Sequence, residues 1–355
     1  MSGMTTQMTP GRLLGLPLLG LLVLTSTGCL DRHPGTATAP DAVAADADAQ
    51  PSPDGSLEVM PDGGPETVDT DVGPDLGATD IPPFCPVPLI TIDEGLEVIP
   101  QTRLQLRASL GTGEPIEVLW TVVDAPPNSC ARFQPSATAL EPRLDVNVVG
   151  TYTVQLEVKS ATVPWSCEPV EATIVVVPDQ PLHIQLTWDT PGDSDECDEG
   201  PETGADLDLH FAHPQGANGD DLDGDGTSDP WFEDLYDLYW FNVNPTWGSF
   251  IPGADDNPVL TRDDTSGSGP EVIQYAAPEA GLTYRVAVHT WNDHGYGPST
   301  ATLKVYVEGV EQFSASRDLA GTNVLWNVLS FEWPDPIFTF VDGLVDDYPN
   351  PLFPQ

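Results

Sequence analysis

Apolar residues recur at every second position through most of the chain. In GTYTVQLEV (150–158), Tyr152, Val154, Leu156 and Val158 share one strand face while Thr, Gln and Glu take the other. Leu182, Ile184, Leu186 and Trp188 repeat the pattern, and in ADLDLHF the residues Leu207, Leu209 and Phe211 do so again. About seven such runs fall between 85 and 178 and about nine between 180 and 334, with turn residues between them. No stretch in these regions carries the 3.6-residue period of a helix. The pattern predicts an all-β chain of two β-sandwich domains, the first immunoglobulin-like and the second a larger sandwich or jelly roll.

The segments outside these domains read differently. Residues 1–28 place Arg12 before an apolar run at 13–24 and then the small residues Ser26, Thr27 and Gly28 ahead of Cys29. The run is too short to span a bilayer and suits a signal-peptide core. It resembles a bacterial lipoprotein signal, in which the cysteine becomes the lipidated first residue, although Ser26 stands where that pattern usually has Leu. The resemblance implies a membrane anchor through lipidated Cys29, and Leu30 rather than Asp after it implies the outer membrane or cell surface. Residues 29–84 are rich in Asp, Ala, Pro and Gly and cannot bury enough apolar surface to offset chain entropy, so a disordered acidic tether reaching about 40 Å is expected. Residues 335–355 are punctuated by proline and are expected to form a loose tail.

Charge narrows the partners. Eleven basic residues face 56 acidic ones, a net charge of −45. Such a field repels nucleic acid and attracts divalent cations. No Lys or Arg stands between Lys159 and Arg262.

Within 85–178, the pieces IEVLWTVVDAPPNS, RFQPSATALEPRLDVNVVG and GTYTVQLEV resemble the PKD-like spacer domains of bacterial surface proteins, though the WDFGDG motif of many members is missing. That resemblance implies a spacer in which Trp120 and Tyr152 are core residues. Within 179–334, LTWDTP, ADLDLHFAHPQG, GSGPEVIQY, YRVAVHTWNDHGYGPSTATLKVYVEG and WNVLSFEWP resemble an uncharacterised domain of bacterial secreted proteins and lipoproteins. It implies a fold and a location, with no activity to carry over.

Two acidic groups invite a metal. In DLDGDGTSD, Asp221, Asp223, Asp225 and Asp229 occupy relative positions 1, 3, 5 and 9 with Gly226 at the turn, which resembles the start of an EF-hand-type or thrombospondin-type calcium loop. Phe232 stands where the bidentate Glu is expected, so Glu233 or Asp234 takes that place. The alternative is a solvated acidic turn. In ADLDLHF, Asp206, Asp208 and His210 share one strand face, about 7 Å apart in succession, as a second cation site or as an ordinary polar face. The histidine leaves a transition metal open, with His289 or His294 as partners. Beside the loop crowd Trp231, Phe232, Tyr236, Tyr239, Trp240, Phe241 and Trp247. Aromatics at a calcium loop fit sugar rings, but at least half are expected in the core.

With Cys29 assigned to lipid, Cys85, Cys130, Cys167 and Cys197 remain, an even number in an exported chain and without CxxC spacing. The strand topology of an immunoglobulin-like sandwich places Cys85 near Cys167 and leaves Cys130 to reach Cys197 across the two domains. No GxSxG, HExxH or phosphate loop is present. The chain therefore reads as a non-catalytic, calcium-dependent adhesion or binding module for polysaccharide or a surface protein. The alternatives are a glycan-active enzyme on the same sandwich and a structural envelope protein.

Overall fold

The structure is a computed structural model and describes residues 87–111, 115, 117–159, 168–198, 200, 203–217, 221, 226–249, 251 and 254–348. Among them every regular element is a strand, and the strands form four open sheets. Cys29, Cys85 and Cys167, with the signal and tether expected before them, lie outside the described residues.

The first domain contains β1 (Pro88–Ile92), β2 (Glu97–Val98), β3 (Thr102–Leu110), β4 (Glu117–Asp124), β5 (Phe133–Gln134), β6 (Arg143–Val146), β7 (Gly150–Lys159) and β8 (Val170–Val176). The orders β1-β3-β6-β5 and β2-β8-β7-β4 are those of an immunoglobulin-like sandwich, with β2 added parallel to β8. Two local features agree. Trp120 on β4, the third long strand, is buried between the sheets and donates its indole N–H to Ala139 O at 3.0 Å. Tyr152, at the start of β7, reaches back to Val148, donating to its carbonyl at 3.0 Å and accepting from its amide at 3.1 Å. That is the tyrosine corner of such domains. Tyr152, Val154, Leu156 and Val158 are all fully buried, as their alternation predicts.

The second domain follows with β9 (Leu182–Asp189), β10 (Asp206–Ala212), β11 (Asp237–Leu238), β12 (Pro258–Arg262), β13 (Glu271–Tyr275), β14 (Thr283–Asn292), β15 (Ser299–Val307), β16 (Val310–Leu319), β17 (Val324–Glu332) and β18 (Thr339–Val345). One sheet runs β11-β10-β14-β17-β18 and the other β12-β13-β9-β15-β16. Leu182, Ile184, Leu186 and Trp188 meet Leu207, Leu209 and Phe211 in the core between them. The outer face of β10 is also covered, because Trp231, Phe232, Tyr239 and Tyr348 pack against it in a second apolar cluster with Ala287 and Leu325. All seven residues of β10 are therefore buried.

The loose tail expected at 335–355 is corrected in part. Thr339–Val345 pairs with β17 as an edge strand, and Tyr348 is fully buried. The strand is mostly exposed, so it carries little alternation for the sequence to betray.

Cys130 and Cys197 form a disulfide between the two domains. Arg132 forms an ion pair with Asp195 beside it, Val149 N–H donates to Gln185 Oε1 at 2.9 Å, and Gln101 Nε2 donates to Thr261 Oγ1 at 2.9 Å. His183, Gln185 and Thr187, on the β9 face turned from the core, are buried.

Candidate metal centre

β10 brings Asp206, Asp208 and His210 to one face by the two-residue period of a strand, as expected. The aromatic cover then separates their roles. His210 stacks on Tyr239 with ring centroids 5.2 Å apart, and its Nδ1 lies 2.6 Å from Asp237 Oδ2. Asp237 Oδ2 also accepts the Phe232 amide at 2.7 Å. Phe232 adopts the left-handed φ of 61° in the turn that carries Trp231 over the sheet. His210 is thus tied to a carboxylate on β11 that the sequence reading had not singled out.

Asp208 joins different partners. One oxygen each of Asp208, Asp263 and Glu271 lie within 4.8 Å of one another. Asp263 follows β12 and is exposed, whereas Asp208 and Glu271 are buried. Glu271 opens β13 in phase with Ile273 and Tyr275, both core residues, so its side chain enters the sandwich edge instead of solvent. There its Oε2 accepts the Leu209 amide of β10 at 2.5 Å. This amide needs an acceptor because β11 pairs with β10 only at Phe211 and Ala212. An acid in phase with core positions was the signal available in the sequence for Glu271; for Asp263 there was only its place in an acidic turn.

Electrostatics make this edge expensive. Burial pushes the Asp206 carboxyl up to about 8, with the charges of Asp208, Asp263 and Asp264 adding to it. Burial pushes Asp208 up to about 7, against the lowering influence of His210. Glu271 is raised well above the ordinary carboxylate range by burial, then by Asp208 and Asp263. Among the described residues no hydrogen-bond donor reaches Asp206 Oδ1, Asp208 Oδ2 or Glu271 Oε1. The nearest cation by sequence, Arg262, is engaged by Asp264 at 2.7 Å and by Pro270 O at 3.1 Å. Such a group either shares protons or holds a cation.

His289 Nε2 lies 3.3 Å from Tyr348 O, so the ring donates there and presents a bare Nδ1 3.9 Å from Asp208 Oδ2. Neither His289 nor His210 belongs to the set of atoms at mutual ligand distance. His294 lies elsewhere, with Nδ1 2.9 Å from Gly204 O.

Of the acidic loop, Asp223 and Asp225 lie outside the described residues. Asp221 Oδ2 accepts the Gly226 amide at 2.9 Å, and Gly226 adopts the left-handed φ of 89°. Asp229 is buried and Glu233 half-buried. Trp231, Phe232 and Tyr239 are core. Phe241, 56% exposed, stays at the surface beside half-buried Trp240, whose ring lies 5.7 Å from Phe241 and 5.4 Å from Trp291. Leu235, at 66% exposed, lies in the same turn region.

No protein-family model matches the chain, and no curated protein matches it. Among solved structures, it is similar to the D00–D0 domain of intimin at 12% identity and a TM-score of 0.22, over 67% of this chain and all of that one. It is similar to a set of titin domains at 10% identity and a TM-score of 0.17, over 74% of this chain and 96% of that one. The assignment of the first domain rests on its strand order and tyrosine corner.

Proposed function

We propose that this chain is an exported lipoprotein, anchored through Cys29 in the outer membrane, whose second sandwich is a non-catalytic, calcium-dependent binding module for polysaccharide or a surface protein. The observation that carries the binding reading is the exposed ring of Phe241, which with half-buried Trp240 and Trp291 beside it borders the turn after the acidic loop. An exposed aromatic ring backed by half-buried ones suits a contact surface. The first domain and the disulfide would then hold the module at the end of its tether.

The test is a glycan array probed with the full mature chain in millimolar calcium and again in chelator. Calcium-dependent binding that Phe241→Ala weakens at least tenfold is the expected result. Binding indifferent to both calcium and Phe241, or hydrolysis of the arrayed glycan, would overturn the proposal.

A further inference from the structure

We infer that Asp208, Asp263 and Glu271, with Asp206 beside them, bind one calcium ion that fastens the free edge of β10 to the opposite sheet. This deepens the calcium-dependent reading above, which the sequence had tied to the Asp221–Asp229 loop. One oxygen each of Asp208, Asp263 and Glu271 lie within 4.8 Å of one another. Glu271 is fully buried, belongs to that group, and has an oxygen that no donor among the described residues reaches; Asp208 and Asp206 add two more such oxygens. Uncompensated buried carboxylates cost several kcal/mol each, so a sequence that collects them without a basic partner implies a counter-ion from outside the chain.

The donor set selects the ion. All three ligands are carboxylates, which suits hard cations and disfavours zinc or copper. Three convergent carboxylates suit calcium, because magnesium is usually bound through one or two carboxylates and keeps several of its waters. Asp263 supplies both the entry path and the side open to water, which completes a shell of six to eight oxygens. His210 is held by Asp237, and His289, whose Nε2 meets Tyr348 O, keeps its Nδ1 3.9 Å from Asp208 Oδ2 and outside the group of three oxygens.

The ligands also come from separate elements. Asp208 lies on β10 in one sheet, while Asp263 and Glu271 flank the β12–β13 turn of the other. Glu271 spends its second oxygen on the Leu209 amide, so an ion on Glu271 holds the side chain that closes β10.

The experiment is calorimetric titration of calcium alone into the metal-stripped full chain, paired with thermal melts. The variants are Glu271→Gln, Asp208→Asn, Asp263→Asn and the loop pair Asp223→Ala with Asp225→Ala. Asp263 is exposed, so its variant keeps the test independent of folding. The expected result is a calcium site lost, or weakened at least tenfold, in each cluster variant and retained in the loop pair. If the loop pair removes all calcium binding while the cluster variants bind as the parent does, this inference fails and the calcium-dependent reading stands. If no chain binds calcium, both fail. Zinc binding at the cluster in preference to calcium would likewise overturn the assignment.

Discussion

At the scale of single residues, two buried side chains on opposite sides of the interdomain contact set measurable stability. Tyr152 is fully buried with its hydroxyl committed to both polar groups of Val148. Tyr152→Phe leaves that amide and carbonyl without their partner, so chemical denaturation should show a loss of about 1–3 kcal/mol. His183 is held neutral by burial, which lowers its pKa to about 4, and its ring meets that of Tyr306 edge-on with centroids 5.7 Å apart. Between about pH 6.5 and 4 the unfolded chain takes up a proton at this position that the folded chain refuses. Stability is therefore full above 6.5 and falls as the pH is lowered, by at most about 3 kcal/mol from this residue. Melting curves across that range should slope less in His183→Leu; an unchanged slope would remove His183 as the cause.

At the scale of elements, what the sequence revealed depends on how much of each strand is buried. β7 and β9 were legible because their core faces alternate without interruption, and Asp206, Asp208 and His210 fell on a common face for the same reason. The polar alternation of β10 resembled a solvent face, and only the turn carrying Trp231 and Phe232 over it shows that it is interior. Asp237 and Glu271 were hidden inside strand-like runs. Their importance comes from which strands adjoin, information that residue spacing along one chain does not contain. β18 was missed because an exposed edge has little apolar period. The site makes a prediction at this scale. Calcium should slow hydrogen exchange at the Leu209 amide, which rests on Glu271 rather than on a neighbouring strand, and should do so more than at Phe211, which pairs with Leu238. Equal effects at both positions would contradict the ion's role as a fastener of this edge.

At the scale of the whole molecule, the two sandwiches are joined by more than their connecting chain. The expected Cys130–Cys197 bond is present, and the Arg132–Asp195 pair and the Val149–Gln185 hydrogen bond accompany it. A crosslink spanning 67 residues removes unfolded-state entropy equivalent to about 4 kcal/mol in the chain-entropy model. Replacing both cysteines by serine should lower the melting temperature and separate the calorimetric unfolding of the two domains; a single unaltered transition would show that the bond contributes nothing to their coupling. Ser268, between Asp263 and Glu271 in the chain, has its Oγ 3.3 Å from Cys130 Sγ, so the segment that carries two of the proposed calcium ligands touches this tie. The central claim is that a buried, oxygen-only site there takes calcium. Anomalous diffraction from a calcium-grown crystal tests it most directly. The account predicts a calcium peak about 2.3–2.6 Å from oxygens of Asp208, Asp263 and Glu271. Density confined to the Asp221–Asp229 loop, with those three carboxylates bare, would contradict it.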